Sequence, residues 1–266
     1  MSEDIDLVLS GSGTLVPCHV GAVARLQKEG FTIRRVAGTS GGAIVAAAVA
    51  RGWSAERMQY LARRFLRGGL LDRNWFFPAG WGMYRGNRIL SLFREHLPGQ
   101  LEDAGIPLGI FALDLETQRP ALFSRENSIE TAHALRASVS IPLFFRAHKI
   151  PGERGLFVDG GVTSNFALGV WDDVPERKTV GIRFRSRQTR RPIRHGPGFV
   201  TALVGSMLHN ANRSHISKKR FQDVITIDSA GNSLDFTLSE LEVEARFDEG
   251  WRAADKWIKG GKNGES

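Results

Sequence analysis

The sequence predicts a single three-layer α/β/α domain, with a mostly parallel central sheet covered by helices on both faces. Three observations predict it. Short apolar runs that read as strands alternate with stretches of helical period. Glycine clusters sit where strands hand over to helices, at Gly11-Ser12-Gly13 and around Ser40. No internal repeat or low-complexity linker divides the 266 residues, so the domain is taken as 1–266, with a core over about 5–230 and a C-terminal helix over about 239–259.

The elements follow in order. Asp6-Leu7-Val8-Leu9 reads as a short buried strand stopped by Gly11-Ser12-Gly13. Val20, Val23, Ala24 and Leu26 recur at helical spacing, and Gly30 is placed to cap that helix. Residues 33–37 read as a second strand, followed by a small-residue helix over 41–51 and a helix capped by Ser54 that runs to Leu66. Residues 68–84, rich in glycine and aromatics, read as a loop, and 87–96 as an amphipathic helix. Further strands are expected at 108–113, 121–123, 156–158, 179–184 and 224–227, and further helices near 129–137, 199–217 and 241–258. The last helix is announced by Ser239 and Glu242, an S-x-x-E capping box.

Composition narrows the function classes. The hydrophobic fraction of 42% and charged fraction of 24% are ordinary for a globular chain. The longest apolar run, Ala43 to Ala50, is far shorter than the ~20 residues a membrane span needs. The opening MSEDIDLVLS carries acids where an export signal needs a basic region, so no export signal is expected. The lone Cys18 excludes an internal disulfide and fits a reducing, cytoplasmic setting, with peripheral membrane contact as the variant. Net charge is +8, and 12 Lys or Arg without one acid fall between Arg177 and Gln222. Such a block either favours an anionic partner, such as a lipid surface, a nucleotide or nucleic acid, or serves as a solvated face.

Chemistry concentrates at Gly38-Thr39-Ser40-Gly41-Gly42. A serine hydroxyl is a weak nucleophile and must be presented to a base and a substrate together. A tight strand-to-helix turn exposes its oxygen, and the small Gly38 and Gly42 on either side allow that turn. The earlier loop, LSGSG, also leads into a helix, so the backbone N–H groups of Gly11, Ser12 and Gly13 suit an oxyanion. Dinucleotide binding is excluded there: Val16 replaces the third glycine and no acid ends the second strand. The chain also lacks the G-K-[ST] of a phosphate-cradling loop.

Two bases remain open on the residues alone. A Ser-His-Asp triad of the α/β-hydrolase type permits the order Ser40, Asp159, then His195 or His209, with His215 nearby. Only two strands precede Ser40, however, and that plan needs more. His19 and His133 lie on helical patterns and read as structural. The other base is a carboxylate. FVDGG places Asp159 at the end of an apolar run before two small residues, and an aspartate works as a base only where water is excluded.

The chain resembles the patatin-like phospholipases. The resemblance rests on LSGSGTLVPCHVGAVARL, VAGTSGGAIVAA, IPLGIFALDLETQRPALFS, ALRASVSIPLFF and FVDGGVTSNFAL, which occur in the family's order. It implies a Ser-Asp dyad without histidine: Ser40 as nucleophile, Asp159 as base, and Gly11, Ser12, Gly13 and Thr14 as the oxyanion loop. It also implies hydrolysis of lipid acyl esters with no metal or organic cofactor. Leu15 and Val16 depart from the basic residue and glycine frequent in the family, and Ser12 replaces a frequent glycine.

The implied substrate is a phospholipid or other lipid ester. Trp75, Phe76, Phe77 and Trp81 are then expected to form a lid or lipid contact, or else to cover the core. The 177–222 block would touch anionic membrane. Nucleic acid is not expected. Some bacterial relatives are switched on by cyclic nucleotides, but no residue here identifies a nucleotide activator site. A catalytically silent basic module that binds lipid or nucleotide is the non-enzymatic alternative.

Overall fold

Strand β1 (Glu3–Leu9) lies inside a seven-stranded sheet and divides its two faces by simple alternation. Ile5, Leu7 and Leu9 enter the main core, whereas Val8 enters a smaller cluster with Phe166, Leu168 and Val224. The computed structural model describes residues 3–66, 68–75, 81–174, 176–185, 202, 205–206, 223–229 and 235–262. The expected helix over 199–217 lies mostly outside them.

The remaining elements are α1 (Val16–Glu29), β2 (Phe31–Thr39), α2 (Gly41–Ala50), α3 (Ala55–Leu66), β3 (Gly82–Tyr84), α4 (Asn87–His96), β4 (Leu108–Asp114), β5 (Arg119–Phe123), α5 (Thr131–Ser138), β6 (Leu143–Phe145), β7 (Phe157–Asp159), β8 (Lys178–Arg185), β9 (Val224–Asp228) and α6 (Glu240–Lys262). The large sheet runs β5-β4-β2-β1-β8-β9, and β7 also pairs with β4. Every pairing is parallel except those of β5 and β7 with β4, so the sheet is mixed but mostly parallel. On the second face, the described cover includes the short turn Leu168–Trp171.

Local signals end the helices where expected. Gly30 takes φ 103° and its N–H reaches the carbonyls of Gln27 and Leu26, closing α1. At the start of α6, Ser239 and Glu242 cap each other's backbone N–H groups. That helix lies against α1 at glycine contacts: a Cβ on Gly21 would strike the Phe247 carbonyl, and one on Gly250 the Cys18 carbonyl. Arg25 of α1 secures the pair through Asp255 at 2.9 Å.

The described parts of the expected loop over 68–84 include regular structure. They contain a short turn at Gly68–Leu70, and β3 pairs in parallel with β6 as a separate two-stranded sheet. Three-residue strands carry too little periodicity to be legible, and β6 was not expected at all. Inside the main sheet, Arg35 of β2 bonds Asp6 at 2.7 Å and Asp173 at 2.8 Å while stacking on Trp171, which clamps β1 and β2 to the second face.

Candidate active site

Strand β4 aligns the two strand ends that carry Ser40 and Asp159. Its residues Leu108 to Phe111 pair in parallel with β2, so Thr39 stands opposite Phe111. Its next residues, Ala112 to Asp114, pair antiparallel with β7, so Asp159 stands opposite Ala112. The C-terminal ends of β2 and β7 therefore meet head to head, with Ser40 following one and Asp159 ending the other.

Ser40 occupies the turn into α2 with φ 53° and ψ −125°. A non-glycine residue in such a conformation stores about 1–3 kcal/mol and must be held by its surroundings. Gly38 and Gly42 permit the turn: a Cβ on Gly38 would lie 2.6 Å from the Gly42 backbone, and one on Gly42 would lie 2.7 Å from the Leu9 carbonyl oxygen. The Ser40 N–H donates to Ser138 Oγ at 2.8 Å, and Ser138 Oγ donates in turn to the Phe111 carbonyl at 2.6 Å.

The Ser40 hydroxyl donates to Asp159 Oδ2 at 2.6 Å, and both residues are buried. Asp159 Oδ1 accepts the Gly161 N–H at 2.7 Å, and the Asp159 N–H donates to the Ser140 carbonyl at 2.9 Å. Burial pushes the Asp159 carboxyl up to about 7, against the opposing pull of its bonds to Ser40 and Gly161. An aspartate so raised has a proton affinity suited to general base work near neutral pH.

The loop between β1 and α1 packs over the start of α2. A Cβ on Gly41 would collide with Ser12 Oγ and lie 2.6 Å from the Gly13 carbonyl oxygen. Gly13 takes φ 54°, a conformation in which successive N–H groups can converge on one side. The N–H groups of Ser12 and Gly13 have no backbone acceptor among the described residues. Gly11 differs from the expectation: its N–H is engaged by the Asn165 carbonyl at 2.9 Å, because the loop runs alongside the segment after β7. Thr14 is fully buried, and Leu15 and Val16 are buried in the main core, so the positions that depart from the family pattern serve packing.

No described histidine bonds Ser40. His19 is fully buried with Nε2–H donated to the Ser10 carbonyl at 2.9 Å. His133 stacks on His148. His195, His209 and His215 lie outside the described residues, as do Phe76 and Phe77. Among the described residues no group of three His, Cys, Asp or Glu side chains is placed to hold a metal ion.

Trp75 and Trp81 are 73% and 63% exposed, so they do not cover the core. The basic block is partly answered by acids remote in sequence. Arg177 bonds Asp6 at 3.1 Å, Lys178 lies 3.9 Å from Asp223, and Arg185 pairs with Asp228 at 2.6 Å. A count along the chain cannot see such neutralisation.

Sequence reasoning missed Ser138 and Arg136 as parts of the site. The Arg136 guanidinium is buried and donates to the carbonyls of Gly86 at 2.9 Å, Arg85 at 2.7 Å and Arg146 at 2.9 Å, and to Ser140 Oγ. It thereby ties the β3–β6 sheet to the segment that holds Asp159. The available signal was a run of polar residues, Arg136, Ser138 and Ser140, within an otherwise small and apolar helix end.

Residues 7–170 match the family model described as patatin-like phospholipase. The chain is 29% identical to YqhO of Bacillus subtilis over 288 aligned positions, covering 96% of this chain and 98% of that protein. It is 32% identical over 170 positions to an NTE family protein of Mycobacterium tuberculosis, covering 63% of this chain but only 28% of that protein. In fold it resembles VipD from Legionella pneumophila, with a TM-score of 0.61 over 97% of this chain and 67% of that one, at 14% identity. With a family match spanning both Ser40 and Asp159, the chain belongs to the patatin-like phospholipases.

Proposed function

We propose that this protein hydrolyses carboxylic esters of lipids, of phospholipase A or lysophospholipase type, through an acyl-enzyme built on a Ser40–Asp159 dyad. The observation that carries the reading is the buried 2.6 Å hydrogen bond from Ser40 Oγ to Asp159 Oδ2. Ser40 Oγ attacks the ester carbonyl as its proton passes to Asp159. The tetrahedral intermediate then collapses, and the proton goes to the departing alcohol. Water, deprotonated by Asp159, cleaves the acyl-enzyme, and the proton returns to Ser40 as the fatty acid leaves. The N–H groups of Ser12 and Gly13 stabilise the charged oxygen in both halves.

Lipid would reach this site past the β3–β6 sheet. Trp81 and Leu143, which adjoin and belong to its two strands, are exposed and held at φ 56° and 67°. Trp75 is exposed with Arg73 stacked on its ring, and Arg85 and Arg146, which directly follow the two strands, are exposed. Apolar rings flanked by arginines suit an anionic lipid surface. Contact through the 177–222 block forms part of the same proposal, although most of that block lies outside the described residues. No described helix is long and apolar enough to cross a membrane.

Labelling with a fluorophosphonate, followed by hydrolysis of a phospholipid panel, tests the reading. Ser40→Ala should abolish both, and Asp159→Asn should abolish hydrolysis. Full activity in Asp159→Asn, with loss on replacing His195, His209 or His215, would establish a histidine triad instead. An unlabelled Ser40 would favour a binding module without turnover.

A further inference from the structure

We propose that the Ser12 hydroxyl is itself an oxyanion donor, so that the hole in this chain is part side chain and part backbone. The inference rests on the reading of Ser40 as nucleophile and concerns a group that the backbone-loop account leaves unused. Ser12 is only 4% exposed, and its Oγ has no hydrogen-bond partner among the described residues. A buried hydroxyl without a partner is unfavourable, and such groups in a folded protein call for an explanation.

The position of the hydroxyl supplies one. It lies against Gly41, the residue that follows the nucleophile, where a Cβ would collide with it. The oxygen that gains charge is bonded to the carbon that Ser40 attacks, so its donors must come from groups packed beside Ser40. The β1–α1 loop and the first turn of α2 are packed together there, with Gly41 against Ser12 and Gly13, and Gly42 against Leu9 and Ser10. Within that loop Gly11 has already committed its N–H to Asn165. The loop thus has one backbone donor fewer to offer, and a side-chain donor without a partner among the described residues in its place. The Ser12 carbonyl accepts the Leu15 N–H at 3.0 Å, which fixes the turn that holds the hydroxyl.

At rest the hydroxyl has no acceptor among the described residues. In the tetrahedral intermediate its O–H donates to the negative oxygen, and no proton is transferred. A donor that acts on the charged oxygen more than on the neutral ester affects turnover, leaving ground-state binding unchanged.

The test compares Ser12→Gly and Ser12→Ala with the unaltered protein on a soluble monomeric ester. Both variants keep the backbone N–H and remove the hydroxyl. The expected result is a fall in kcat of roughly 100-fold with KM unchanged. Inhibition by a trifluoromethyl ketone, which forms a charged adduct on Ser40, should weaken in proportion. Binding of an unreactive ether analogue should not change. Retention of kcat within about twofold in both variants would overturn the proposal. So would loss of the folded state in both, because the hydroxyl would then be structural. Undiminished turnover in Ser40→Ala would instead remove the underlying reading of the nucleophile, so the two failures are distinguishable.

Discussion

Ser40 and Asp159 are 119 residues apart in the chain, yet their side chains meet in a 2.6 Å hydrogen bond. The meeting follows from adjacent pairings along one strand: Phe111 of β4 faces Thr39, and Ala112 faces Asp159. Asp159 is thus held by a backbone ladder, which leaves little freedom for the pair to drift.

Activity should follow the ionisation of Asp159. Only the carboxylate can take the Ser40 proton, and burial raises the carboxyl to about 7. The kcat/KM for a non-titrating ester should therefore rise with pH through about 7 and fall away on the acid side. A profile flat from about pH 5 to about pH 9 would contradict this.

The same shift makes Asp159 costly to the fold. Its carboxyl is raised to about 7 from an ordinary 3.8, so the folded state holds the proton more tightly than the unfolded state. The penalty is absent below about pH 4, grows to about pH 7 and is complete above it. Asp159→Asn should be inactive but more stable at alkaline pH, by at most about 4 kcal/mol. Denaturant unfolding should show the gain at about pH 8 and little at about pH 4.

Ser138 fixes the Ser40 backbone by accepting its N–H and donating to the Phe111 carbonyl. Ser138→Ala leaves that buried N–H without its acceptor, a loss of about 1–3 kcal/mol. The variant should stay folded while kcat falls about tenfold or more and KM changes little. Ser138→Thr, which keeps the hydroxyl, should recover part of the activity.

The histidine pair predicts an opposite pH response. Arg94 can only donate, so its bond to His133 Nε2 at 2.9 Å leaves His133 Nδ1–H to donate to His148 Nε2 at 2.8 Å. Burial holds both rings neutral, His148 down to about 3, with Arg94 and Arg136 adding to the effect and Glu130 opposing it at His133. The unfolded chain binds protons that the folded pair refuses, so stability should fall as pH drops from about 6.5 toward about 3. Unfolding curves of His148→Phe should show a shallower acid limb.

Trp75→Ala and Trp81→Ala together should lower hydrolysis of phospholipid vesicles severalfold and spare a soluble ester. Each removes an exposed ring beside the arginines that suit an anionic surface. Equal loss on both substrates would place these rings in the fold or the chemistry instead.

The sequence by itself determined the features that depend on a few neighbouring residues. The Gly38–Ser40–Gly42 turn, the Gly30 cap and the Ser239–Glu242 box are set by local backbone sterics and short-range hydrogen bonds, so each is legible in a handful of letters. The family resemblance also pointed to Asp159, but the residues alone left a histidine base open. Tertiary structure decided what depends on distant segments: the antiparallel entry of β7, the Ser138 bond, the β3–β6 pairing and the acids that answer the basic block. The raised Asp159 belongs to the same class. Desolvation depends on the whole shell of atoms that excludes water from a carboxyl, and the fold assembles that shell from residues scattered along the chain.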